Sequence, residues 1–220
     1  MGKESKYKLI IGIPACLVAL TALIAWLTGA GNLQELLKFF QPKIAYTVGD
    51  TIHFGEWDWR VLAVENGKAL LITKNIIEQR PYNDEEANVT WETCTLRAYL
   101  NGEFLKKFST QERAKICKIE NVNFDNPWYE TSGGSNTTDK VFLLSIEEVK
   151  KYFGDIQPNE ERAARIRNDR AFWWLRSPGQ HQDYAAYVSL DGKVPILGLV
   201  VSSIGEGTNG VRPALWLKIN

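Results

Sequence analysis

The chain predicts an α+β domain whose strands are mainly antiparallel. Strand-like segments come first, helical segments follow, and strands return at the end. That order favours an α+β domain over a repeated βαβ unit. Apolar runs flank both Asn66-Gly67 and Asp191-Gly192, and such a pair between apolar runs is a strong short-range hairpin signal. Ser109 with Glu112, and Ser145 with Glu148, read as capping boxes that open helices.

The first element begins at Leu9 and ends at Ala30, with the sequence LIIGIPACLVALTALIAWLTGA. At 1.5 Å per residue it reaches about 33 Å, enough to cross a hydrocarbon core of roughly 30 Å. It is apolar all round, whereas a soluble helix of this length keeps a polar stripe. Trp26 sits where an interfacial aromatic belongs. A cleaved signal peptide is the alternative, with a passable cleavage site at Thr28-Gly29-Ala30 but a shorter apolar core than this one. The apolar run before Cys16 is too short for a lipoprotein signal. Lys3, Lys6 and Lys8 precede the segment. By the positive-inside rule the N-terminus is cytoplasmic and the domain lies outside the cell membrane, on a single-pass anchor. The expected organisation is a basic tail over 1–8, a transmembrane helix over 9–30, a juxtamembrane connector over 31–45 and the α+β domain over 46–220.

Within the domain, residues 47–54 alternate partly, and 57–64 and 68–73 form the first hairpin. Leu96, Tyr99, Leu100 and Phe104 make a helical stripe. The two capping boxes begin further helices, the second running to Gly154. Residues 121–139, rich in Asn, Gly, Ser and Thr, read as a long loop before a strand over 141–144. The Arg-rich stretch 160–170 reads as exposed helix or loop. Strands are expected over 172–175, over 184–190 and 193–197 around Asp191-Gly192, over 200–203 and over 211–219.

Composition excludes some functions. Hydrophobic residues are 45% and charged residues 24%, enough apolar material for a packed core. Lys plus Arg equals Asp plus Glu at 26 each, so no basic field exists to attract nucleic acid. Two His and no CxxC pair leave no metal-ligand set, and no cofactor motif is present. GxSxG, HExxH and GxxxxGK[ST] are absent, so no catalytic residue is assigned. Cys94 and Cys117 are either a disulfide pair or two buried thiols, and spacing does not decide between them. His53 reads as a structural histidine in a strand, and Glu147-Glu148 as a first-turn pair favoured by the helix dipole.

Several motifs occur in order: 49–64, Arg80-Pro81-Tyr82-Asn83, 91–97, Trp173-Trp174-Leu175-Arg176-Ser177-Pro178-Gly179 and Gly210-Val211-Arg212-Pro213-Ala214-Leu215-Trp216. Together they resemble the bacterial family of domain of unknown function 6273, over about Thr47 to Leu217. The last two motifs are more distantly similar to C-type-lectin-like and formylglycine-generating-enzyme-like domains. That resemblance implies a compact scaffold whose C-terminal loops bind partners, proteins or glycans. It places ligand contacts at Trp174, Arg176, Gln180, His181, Asp183, Tyr184, Tyr187 and Asn209. The calcium-binding motifs of true lectins and the oxidase cysteine pair have no match. Strand alternation puts one of Trp173 and Trp174 inward and the other outward, and Arg212 reads as a buried arginine bonded to carbonyls. The expected function is a non-enzymatic binding module. An enzyme built on Asp183, His181 and a thiol is the second reading, and a structural or sensory envelope domain the third.

Overall fold

Asn66 and Gly67 adopt φ of 50° and 71°, as a two-residue hairpin turn requires. They join β2 (Trp57–Glu65) to β3 (Lys68–Thr73) in register Glu65 to Lys68. The computed structural model describes residues 46–203 and 210–219. The basic tail over 1–8, the expected transmembrane helix over 9–30, the connector over 31–45 and Asn209 lie outside the described residues. Among the described residues no helix is long and apolar enough to cross a membrane.

The fold is mixed, with mostly antiparallel strands and few helices. Strand β1 (Thr51–Phe54) lies beside β2, and β13 (Ala214–Lys218) lies beside β3, giving a sheet in the order β1-β2-β3-β13. Every pairing in it is antiparallel. Every residue of β3 after Lys68 is buried, as expected for a strand covered on both faces. A second sheet has the order β11-β10-β9-β12-β4. Its members are β4 (Glu78–Gln79), β9 (Trp173–Pro178), β10 (Tyr184–Val188), β11 (Leu199–Val200) and β12 (Gly210–Val211). Its one parallel contact among the described residues joins β12 to β9. Two small pairs complete the strands: β5 (Ile119–Asn121) with β6 (Thr137–Asp139), and β7 (Ala164–Ile166) with β8 (Asp169–Ala171).

Two of the three helices begin on the capping boxes that the sequence signals, while the first opens at Cys94 with no side-chain cap. Helix α1 (Thr95–Tyr99) runs straight into a π-helical turn (Leu100–Phe104), and Leu96, Leu100 and Phe104 are buried. Helix α2 (Thr110–Lys115) and helix α3 (Ile146–Phe153) both open on complete capping boxes. Ser145 Oγ accepts from Glu148 N at 3.1 Å, and Ser145 N donates to Glu148 Oε2 at 2.8 Å. Such a cap is worth about 1 kcal/mol. Helix α3 buries Ile146, Val149 and Phe153, one face of the helix.

Three expectations change. Residues 141–144 are fully buried, yet only Phe142 bridges Ala214, so no regular strand forms. Residues 160–170 are largely exposed, as expected, but are neither a helix nor a loop throughout. They carry the β7–β8 hairpin, and Arg162 is wholly buried. Its guanidinium donates to the carbonyls of Gly192, Asp155 and Gln157, which compensate its charge in place of water. At Asp191-Gly192 the turn closes through Ser189 N to Lys193 O at 2.8 Å, but 193–197 do not return as a strand. Val194 N donates instead to Ile156 O, drawing the chain aside, and β11 takes the place beside β10.

Candidate binding surface

Strands β9 and β10 carry the segment that sequence reasoning singled out. Every residue of β9 is buried. The alternation expected for Trp173 and Trp174 therefore fails, with exposures of 0% and 1%. The reason is tertiary: β9 lies inside its sheet and both its faces are covered. Trp174 Nε1 donates to Arg80 O at 2.9 Å, and the Tyr82 ring meets it edge-on at 5.9 Å. Trp174 offers no platform to a ligand.

Arg176 is internal as well. Its guanidinium donates to Glu148 Oε2, to Leu143 O at 2.8 Å, to Asn123 Oδ1 at 3.2 Å and to Val122 O at 3.3 Å. Tyr82 Oη donates to its carbonyl at 3.0 Å. All three guanidinium nitrogens are committed to this scaffold. Glu148 thus serves both the helix cap and the ion pair.

The turn after β9 behaves differently. Gly179 N donates to Tyr184 O at 2.7 Å, closing a loop over 179–184. A Cβ on Gly179 would lie 2.6 Å from Tyr184 Cβ and 2.7 Å from Leu197 O, so the close approach requires glycine. Neighbouring segments brace this loop. Gln180 N donates to Leu197 O at 2.8 Å, and Thr131 Oγ1 donates to Gln180 O at 2.9 Å. Gln182 Nε2 donates to Val89 O and Ser132 O at 2.9 and 3.1 Å. Val201 N donates to Asp183 O at 2.9 Å. Asn126 Nδ2 donates to Pro178 O at 2.8 Å, while its Oδ1 accepts from Trp128 N and Tyr129 N.

On that brace His181 is exposed, and Gln180, Asp183 and Tyr184 are half-buried. The His181 ring stands edge-on to Tyr184 at 5.6 Å. The structure therefore brings Gln180, His181, Asp183 and Tyr184 together. Tyr187 lies farther along β10, opposite Trp174, and packs on Phe172 at 5.3 Å. Burial, and then the charge of Asp191, raise its phenol above the usual range. Sequence reasoning missed the apolar neighbours: Leu197 beside Gln180, Ile196 next to it, and Tyr129 from the loop between β5 and β6 are all exposed. Two adjacent large aliphatics beside a glycine, Ile196-Leu197-Gly198, were the available signal.

The two cysteines inside the domain are free and buried. Burial pushes the Cys94 thiol up to about 12, which keeps it protonated at neutral pH and unsuited to nucleophilic attack. His53, in contrast, is exposed and shares a 2.9 Å hydrogen bond with Asp58 across β1 and β2. Among the described residues no group of three His, Cys, Asp or Glu side chains is placed to hold a metal ion.

No curated protein and no solved structure is significantly similar to the chain. One family model does match, over residues 66–219, from β3 through β13, and its description is a domain of unknown function. With most of its length inside that match, the chain belongs to the family of domain of unknown function DUF6273.

Proposed function

We propose that the chain is a non-enzymatic binding module, anchored by the segment over 9–30 and displayed outside the cell membrane. One observation carries this reading. Loop 179–184 is tied to residues 89, 131, 132, 197 and 201, yet leaves His181 open and Tyr184 half-open to solvent. A braced loop loses little conformational entropy when a partner binds. Tyr and His rings beside exposed Leu197 supply apolar contact and directional hydrogen bonds together, as interface anchors do. The ligand is a protein or glycan surface that presents both. We also infer a C-type-lectin-like scaffold, supported by the sharing of one sheet between β1 and β13, the first and last strands described.

The test is direct. The purified full-length chain is screened on peptide and glycan arrays, and Tyr184→Ala is compared with the wild type. The expected loss at a hot-spot tyrosine is about 2 kcal/mol, near thirtyfold in affinity. No partner on either array, or undiminished binding by Tyr184→Ala, removes the reading. The placement outside the membrane is tested separately: protease added to intact cells digests the domain, and its protection would reverse the orientation.

A further inference from the structure

Arg60 of β2, Lys74 just past β3, Arg165 of β7 and Arg212 between β12 and β13 line one open cleft of about 350 Å³. It shares no lining residue with loop 179–184. Two acids line it as well, and both are engaged by cations. Glu161 pairs with Arg60 at 2.6 Å, and Glu160 takes Arg170 through both oxygens at 3.0 and 2.5 Å. Among the described residues, Lys74, Arg165 and Arg212 have no acidic partner.

Arg212 is the unusual member. It is 2% exposed, and its guanidinium donates only to carbonyls: Thr73 O at 2.9 Å, Arg162 O at 3.1 Å and Lys74 O at 3.3 Å. It lies over the Trp173 ring at 4.9 Å. Carbonyl dipoles and the ring compensate part of a buried charge, but no anion does. Burial, and next the positive charge of Arg60, push its pKa down to about 9. An arginine held inside the protein beneath a cleft with two further cations that lack acidic partners makes a positive field suited to an incoming anion. Water screens the exposed cations, whereas the buried one is held by carbonyls and the Trp173 ring with no counter-charge.

We propose that this cleft binds a phosphate group, carried either on a small soluble molecule or on a lipid head group. Lys74 and Arg165 make the direct contacts, and Arg212 supplies charge from below without leaving its carbonyls. Phosphate fits because its second charge answers more than one cation, and charge-assisted hydrogen bonds to Lys and Arg are strong.

Full-length chain in neutral detergent at low salt is titrated with inorganic pyrophosphate by calorimetry. Saturable binding that weakens as potassium chloride is added is expected. The Lys74→Gln/Arg165→Gln variant, whose changes lie on exposed side chains, should bind at least about tenfold more weakly. Lys68→Gln/Lys218→Gln removes the same charge from the far edge of β3 and β13 and should bind as the wild type does. Thermal melts establish that both variants are folded. Displacement of pyrophosphate by glycerol 3-phosphate marks a soluble ligand, and displacement by short-chain phosphatidylglycerol marks a head group. Absence of saturable binding, an equal loss in both variants, or displacement by neither competitor overturns the proposal.

Discussion

Asp139 offers the sharpest test of how this domain is held together. Its carboxylate is fully buried and accepts from four side chains. Arg97 Nε donates at 2.7 Å, Thr137 Oγ1 at 2.8 Å, Asn121 Nδ2 at 2.9 Å and Trp91 Nε1 at 3.0 Å. These donors come from α1, β6, β5 and the segment before α1, so one carboxylate joins parts of the chain far apart in sequence. Asp139→Ala leaves buried donors without an acceptor and Arg97 without its counter-ion. Breaking a buried pair in this way costs about 3–5 kcal/mol. Arg97 retains 25% side-chain exposure, so water recovers part of its charge and the lower end applies, about 3 kcal/mol. In a domain of this size about 3 kcal/mol lowers the melting temperature by roughly 6–12 °C. Urea denaturation of the full-length chain, followed by tryptophan fluorescence, reads the change. Arg97→Met should be milder, and the double variant should cost less than the two single losses summed, because the second change removes a charge already stranded. A loss below about 1 kcal/mol for Asp139→Ala, or full additivity with Arg97→Met, would refute the view of Asp139 as the buried hub of this network.

Further outcomes follow from individual residues. Burial raises the Cys94 thiol from 9.0 to about 12, so in a Cys16→Ser/Cys117→Ser background iodoacetamide should label it only after unfolding, even at pH 9. The native state holds this proton more tightly than the unfolded chain does. The stability it contributes is therefore present below pH 9 and declines as pH rises towards 12, which urea titrations across that window detect. Gly179→Ala should displace residues 180–184 and weaken array binding more than tenfold, while the melting temperature shows whether the effect stays local. Trp174→Phe removes the hydrogen bond to Arg80 O and leaves that carbonyl unpaired, for a loss of about 1–3 kcal/mol in urea denaturation with no change in array binding.

Much of the local structure was legible in the residues. Asn66-Gly67 announced its hairpin, and Ser109 and Ser145 announced their helices, because a turn or cap is decided by residues two or three positions apart. Arg212 also met its expectation, a buried guanidinium held by carbonyls. The burial of Trp174 and Arg176 was not legible. Alternation marks a half-buried strand, but β9 is covered on both faces by segments that arrive from 80–82, 122–123 and 142–148. Asp191-Gly192 made its turn and yet no hairpin, since the pull on Val194 comes from Ile156, many residues earlier.

The same division runs through the candidate site. Gln180, His181, Asp183 and Tyr184 are close in sequence, so their meeting on one loop followed from the chain alone. Which of the predicted contacts face solvent, and which brace the interior, depended on contacts between distant segments. So did the cleft of Arg60, Lys74, Arg165 and Arg212, which draws on segments from both halves of the chain that meet only in the folded domain. Local conformational preference is written within a few residues; burial and charge compensation belong to neighbours that only the folded chain brings together.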